Sequence, residues 1–136
     1  MTMANLEVIH AYRHLYRGLL HAVQFSKPAR YVARHQLRTA FEESGATFDA
    51  KSVANTIGFL DAAARSRGPE HKVLKNLLMI AYFRLYGHRP SWKHVKLDTQ
   101  MRRKETEFAK HARETAYKHY DMTIAMLNKS MGLCLR

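Results

Sequence analysis

Acidic residues are scarce in this chain. Its 136 residues include 23 lysines and arginines but only 11 aspartates and glutamates, so the formal net charge is +12 at pH 7. The charged fraction of 25% is ordinary, and the sign of the charge is therefore unusual while its amount is not. Small domains more often carry a net charge of about 2 to 8. The excess favours nucleic acid, anionic lipid head groups or an acidic protein as a partner, with simple solubility as the alternative.

Cysteine and long apolar runs are also nearly absent. The single cysteine, Cys134, excludes an internal disulfide, which is typical of proteins in a reducing compartment. The apolar run from Leu77 to Phe83 is far shorter than the roughly 20 residues of a membrane helix, so we expect no transmembrane segment. The first residues lack the pattern of a secretory signal, but they are basic and amphipathic, as in a mitochondrial targeting helix.

Proline and glycine are sparse as well, and strand-like alternation is absent. Apolar residues recur every three or four positions between the three prolines and six glycines, which predicts an all-α fold. About five helices are expected: residues 5–25, residues 28–43, a third capped by Asp49, residues 70–86, and a last one from Asp98 towards Lys129. The fourth is apolar nearly all round, so we expect it to be buried on more than one side.

Catalytic motifs are missing. The sequence has no glycine-rich phosphate loop, no Gly-x-Ser-x-Gly turn and no His-Glu-x-x-His pair. His10 and His14 are spaced to share a helix face, but neither a carboxylate nor a thiolate on that face completes a metal site. We therefore expect no enzyme, no metal and no cofactor of the chain's own, and we interpret these histidines as part of a solvated or anion-facing surface.

A convergent set of arginines lies on the first two predicted helices. Its members are Arg13, Arg17, Arg30, Arg34 and Arg38. If the loop near residue 27 folds the two helices antiparallel, these side chains form a positive rim beside an apolar groove. Guanidinium groups bind carboxylates and phosphates as a rigid fork, so such a rim suits an anionic partner. A solvated charged face is the alternative.

Three short motifs resemble those of the LYR-motif (complex 1 LYR-like) superfamily of small mitochondrial adaptor proteins. They are Leu15-Tyr16-Arg17 early in the first helix, "LRTAF" at 37–41 and "GFL" at 58–60. The resemblance covers about residues 5–66, and the chain looks like an uncharacterised fungal branch with a longer C-terminal part. It implies a three-helix bundle in residues 1–68 and a basic helical extension, residues 69–136, packed on it in the same structural domain.

The resemblance also implies a function and a set of site residues. LYR adaptors have no catalysis of their own; they dock the mitochondrial acyl carrier protein in the matrix and admit its acyl-4'-phosphopantetheine chain into the helix bundle. The residues implied to bind the carrier's carboxylates and phosphate are Tyr16, Arg13, Arg17, Arg30, Arg34 and Arg38. The residues implied to line the acyl tunnel are Leu15, Leu19, Leu37, Phe41, Ile57 and Leu60.

The basic extension bears on which large assembly the adaptor joins. Its cations exceed what one acidic carrier needs, and aromatic side chains among them are typical of sites for RNA loops. We expect contact with ribosomal RNA or ribosomal proteins at Arg65, Arg67, Arg89, Trp92, Lys93, Lys96, Arg102 and Arg103. This favours attachment to the mitochondrial ribosome or its assembly intermediate. The alternatives are an accessory subunit or assembly factor of a respiratory complex of the complex I type, and a free-standing helical RNA-binding protein.

Overall fold

The computed structural model describes residues 3–87 and 106–136. These residues contain five α-helices and no strand, which confirms the all-α fold. The helices are α1 (Met3–Ala22), α2 (Ala29–Glu42), α3 (Ala50–Arg65), α4 (Pro69–Tyr86) and α5 (Glu107–Met131). Asp98, the predicted start of the last helix, lies outside the described residues; α5 is capped by the hydroxyl of Thr106, which accepts from the backbone N–H of Ala109 at 3.3 Å.

Local capping chemistry accounts for several helix ends. The carboxylate of Asp49 begins α3 by accepting from the Lys51 backbone N–H at 3.1 Å and from the Ser52 hydroxyl at 2.6 Å. Pro69 occupies the first turn of α4, where its missing N–H costs nothing. Gly87 ends α4 with a φ of 69°, a conformation that suits glycine at a helix C-terminus. The boundaries predicted around these residues are confirmed.

The end of α1 differs from the prediction. The helix stops at Ala22, three residues early, because Gln24 and Phe25 adopt left-handed φ values of 53° and 56°. The Ser26 hydroxyl donates to the carbonyl of Val23 at 2.7 Å and closes the turn. The turn reverses the chain, so that α2 returns antiparallel to α1.

One apolar core joins four helices. α1 packs on α2 and α3, and α4 packs on α2 and α3. Leu60 of α3 and Val32 of α2 are the largest fully buried side chains. Leu74, Leu77 and Leu78 of α4 belong to the same buried cluster as these residues, so the core continues across the expected boundary at residue 68.

Among the described residues, α4 is buried on one face only, and not on more than one side as a central helix would be. Its buried residues, Leu74, Leu77, Leu78 and Ala81, lie at helical spacing on a single face. Met79 and Tyr86, on other faces, are 46% and 51% exposed. The reason is that α4 lies at the edge of the bundle, where only α2 and α3 cover it extensively. None of the helices in residues 3–87 and 106–136 combines the length and apolarity needed to cross a membrane.

Candidate partner-binding surface and cavities

The contact between α1 and α2 positions the predicted arginines. Tyr12, early in α1, meets Phe41, late in α2, edge to face with 5.3 Å between ring centroids. At about 100° per residue, Arg34 lies about 20° from Phe41 around α2, and Arg13 about 60° from Tyr16 around α1. Both arginines are exposed. We call the five residues Arg13, Arg17, Arg30, Arg34 and Arg38 the arginine seam, because they lie on the two helices that meet at this contact.

Most of the arginine seam has no acidic partner in the part of the chain that the structure describes. Among the described residues, no carboxylate lies within 4.0 Å of Arg13, Arg17 or Arg34. Arg38 approaches the carboxylate of Glu42 at 3.7 Å, an exposed pair within one helix that contributes little to stability. Arg30 donates to the Tyr31 hydroxyl at 2.8 Å. Three guanidinium groups of the seam are therefore unpaired within the described residues.

The three residues of the LYR tripeptide step from the core to the solvent. Leu15 is 4% exposed and belongs to the buried cluster. Tyr16 is half-buried and stacks on Tyr12 with 6.2 Å between ring centroids. Arg17 is exposed. This order follows from the rotation of about 100° per residue, and it means that one short stretch contributes both to the core and to the arginine seam.

The predicted tunnel residues surround little empty space. Leu15, Leu19, Leu37 and Leu60 line one cavity of about 80 Å³. Phe41 and Ile57 pack against the core without lining that cavity. A water-sized group takes about 30 Å³, so the cavity holds only two or three of them, far less than a fatty acyl chain requires.

Residues 132–136 follow α5, and we call them the 132–136 segment. The leucines of this segment pack into the core between the helices. Leu133 and Leu135 are 7% and 8% exposed and belong to the buried cluster. Leu135 also lines the 80 Å³ cavity together with Cys134 and Arg136. Sequence analysis missed this role. The available signal was the alternation of leucines after Gly132, which ends α5 in the left-handed conformation.

Hydrogen bonds attach the 132–136 segment to α3 and to α5. The Thr56 hydroxyl accepts from the Cys134 backbone N–H at 3.1 Å and donates to the Ser52 carbonyl at 2.7 Å. Asn128 binds both backbone groups of Leu135, donating to its carbonyl at 2.7 Å and accepting from its N–H at 2.9 Å. Each buried backbone group named here is thus satisfied, and the segment is an integral part of the fold.

A much larger depression, of about 700 Å³, lies between the α1–α2 turn and α4. We call it the α4 groove. Its walls include Ala22, Val23, Ala29 and Val32 on one side and Leu74, Leu78, Met79 and Tyr82 on the other. Arg67, Lys72 and Lys75 also line it, and none of the lining residues that the structure describes is acidic. Sequence analysis did not predict this groove.

Of the eight residues expected to contact RNA, Arg65 and Arg67 lie in the described part of the chain. Arg65 is exposed and pairs with Asp61 at 2.6 Å within α3. Arg67 is exposed and lines the α4 groove. Arg89, Trp92, Lys93, Lys96, Arg102 and Arg103 lie outside the described residues. In the described part of the chain, no three histidine, cysteine or acidic side chains are grouped so that they could hold a metal ion.

One curated protein shows clear similarity to the chain. It is described as a UPF0593 mitochondrial protein of Schizosaccharomyces pombe, and it is 40% identical over 77 residues. The match covers 54% of this chain and 62% of the relative, so it spans less than two thirds of the relative's length. No family model matches the chain, and no solved structure matches it. The relative's description states a mitochondrial location and names no activity.

Proposed function

We propose that this chain is a mitochondrial matrix adaptor of the LYR type, without catalytic activity, that binds the mitochondrial acyl carrier protein. The arginine seam would hold the carrier's carboxylates and the phosphate of its acyl-4'-phosphopantetheine arm. The adaptor would attach the carrier to the mitochondrial ribosome or to a ribosomal assembly intermediate. The similarity to a mitochondrial protein supports the location, and the three motifs support the LYR assignment.

The observation that carries the proposal is the arginine seam itself. Arg13 and Arg17 on α1 and Arg34 on α2 are exposed, on two helices that pack on each other, and have no acidic partner among the described residues. A charge-assisted hydrogen bond from arginine to a carboxylate or phosphate is about twice as strong as a neutral one. Like charges that gather without internal compensation favour an external anion, and an acidic helix bearing a phosphate supplies both kinds of group.

Ribosome attachment rests on the remaining positive charge. The five arginines of the seam supply less than half of the net charge of +12. Contacts between cations and RNA phosphates release counterions, so their affinity falls steeply as salt rises. The exposed apolar residues of α4, such as Leu85 and Tyr86, favour a respiratory complex as the second candidate assembly, because they offer a protein contact.

Charge reversal tests binding of the carrier. We expect the triple variant Arg17→Glu, Arg34→Glu, Arg38→Glu to lose at least tenfold of the affinity for purified acyl carrier protein. The matched control reverses three exposed lysines of α5, Lys110, Lys118 and Lys129, and therefore changes the net charge by the same amount. The control should bind the carrier nearly as well as the unaltered chain. Equal loss in both variants, or no loss in the first, contradicts a role for the seam.

A sucrose gradient of mitochondrial lysate tests the assembly. We expect the chain and the carrier to migrate together with a ribosomal subunit and to dissociate after RNase treatment or at high salt. Migration with complex I would instead establish the second candidate. Migration with the ribosome but without any carrier would indicate a free-standing RNA-binding protein.

A further inference from the structure

The α4 groove has the size and lining of a ligand site. Its volume of about 700 Å³ lies within the 300 to 1,000 Å³ that is typical of small-molecule pockets. The interior cavity among the predicted tunnel residues, at about 80 Å³, is roughly ninefold smaller. The groove is therefore the place where a long chain fits without displacement of the 132–136 segment.

The wall of the groove on α4 carries an apolar strip. Leu74, Leu78 and Tyr82 recur every four residues on α4, so they form a strip that extends about 12 Å along the helix axis. The facing wall is made of small side chains from the α1–α2 turn, among them Ala22 and Ala29. Such a strip suits an alkyl chain. The chain would contact Leu74, Leu78 and Tyr82 on one side, and the alanines on the facing wall leave room for it.

The positive charges of the groove are gathered at one end. Arg67, Lys72 and Lys75 line the part that lies beside the first half of α4, together with Leu74, whereas Leu78, Met79 and Tyr82 line the part beside the second half. Lys72 and Lys75 are exposed, and within residues 3–87 and 106–136 no residue that lines the groove carries a negative charge. A polyanion would need cations along the whole groove, and a neutral lipid would need none. The separation into a cationic end and an apolar end matches an amphiphile with an anionic head.

We propose that the α4 groove binds one long-chain anionic amphiphile, with a carboxylate or phosphate head at Arg67, Lys72 and Lys75 and the alkyl chain along Leu74, Leu78 and Tyr82. Each methylene that leaves water stabilises the complex by about 0.8 kcal/mol. Two sources present this chemistry: a free fatty acid, and the acyl-phosphopantetheine arm of a carrier protein. The second source rests on the function proposed above, and the first does not.

Titration of the purified chain with a fluorescent fatty acid, displaced by palmitate, tests the site. We expect the variant Lys72→Glu, Lys75→Glu to bind palmitate at least tenfold more weakly, and Met79→Glu to weaken binding severalfold by placing a charge beside the chain. Hexadecanol, which lacks the anionic head, and butyrate, which lacks the chain, should displace the probe poorly. The control Lys110→Glu, Lys118→Glu alters exposed residues outside the groove and should bind as the unaltered chain does.

Three outcomes would overturn the site: no palmitate binding by the unaltered chain, equal binding by Lys72→Glu, Lys75→Glu, or equal displacement by hexadecanol. Because the altered lysines are exposed, their variants should unfold at the same temperature as the unaltered chain, and a thermal melt verifies this. Loss of binding is then assigned to the groove and not to the fold.

Carrier protein with and without a long acyl chain separates the two sources. If the groove takes the carrier's chain, the groove variant should bind acylated carrier only as well as it binds the apo form, while the seam variant binds neither. If the groove takes free fatty acid alone, the groove variant should distinguish the two carrier forms as the unaltered chain does. Failure of the unaltered chain to bind any carrier would contradict the proposed function and leave the palmitate result to decide the groove.

Discussion

The burial of the 132–136 segment predicts that Leu135→Ala destabilises the fold. Leu135 is 8% exposed, and truncation removes three carbon atoms at about 0.8 kcal/mol each. The residue already borders cavities of about 80 and about 220 Å³, so the new space adds to existing space. We therefore expect a loss of about 2 to 3 kcal/mol in the free energy of unfolding, at the lower end of the range for leucine to alanine changes in protein cores.

Urea denaturation followed by circular dichroism measures this loss. With a slope of about 1 to 3 kcal/mol per molar urea, the midpoint should fall by about 1 M or more. Leu60→Ala, at a residue that is 2% exposed, should cost at least as much, whereas Leu85→Ala, at a residue that is 40% exposed, should cost less than about 1 kcal/mol. If Leu135→Ala behaves like Leu85→Ala, the segment is not seated in the core and the reasoning is refuted.

Two further changes test features outside the core. Gly58→Ala should raise the free energy of unfolding by about 0.5 to 1 kcal/mol in the same urea assay, because Gly58 lies inside α3 and an added Cβ meets no atom within 4 Å; a loss of stability would contradict this. Tyr120→Phe should be neutral or stabilising at neutral pH, because the buried Tyr120 hydroxyl has no hydrogen-bond partner among the described residues. Burial also raises the pKa of Tyr120 above its ordinary value of 10.0, so ionisation favours the unfolded chain and stability falls as the pH rises beyond that value. Urea titrations at about pH 8 and about pH 10.5 measure how much unfolding free energy is lost between the two. The loss should be smaller for Tyr120→Phe than for the unaltered chain, and equal losses would contradict the raised pKa.

Local chemistry was predictable from the sequence, and long-range packing was not. The cap at Asp49 and the helix ends at Pro69 and Gly87 depend on a few adjacent residues, so their signals are present in the sequence itself. The exposure of Arg13, Arg17 and Arg34 was predictable for a similar reason, since a periodic pattern fixes which residues share a helix face. The left-handed conformation of Gln24 and Phe25 gave no such signal, because neither residue is a glycine.

The 132–136 segment and the α4 groove arise from contacts between distant parts of the chain. Thr56 and Cys134, which bind each other through a backbone hydrogen bond, are separated by 78 positions. The walls of the α4 groove come from residues 22–32 and 67–82, and neither stretch has a pattern that marks a ligand site. The apolar strip of α4 was visible in the sequence, but its exposure depends on the position of the helix at the edge of the bundle.

The completeness of the core changes what a bound lipid would do for this protein. Leu133 and Leu135 belong to the buried core, so residues of the chain itself occupy part of the interior beside the predicted tunnel residues. Binding of a carrier would then depend mainly on the arginine seam, whose exposed charges are screened by salt, and on whatever chain enters the α4 groove. It follows that the affinity for apo carrier should fall steeply as salt rises. Acylation of the carrier should add affinity that salt hardly changes, because the burial of methylenes is not an electrostatic interaction.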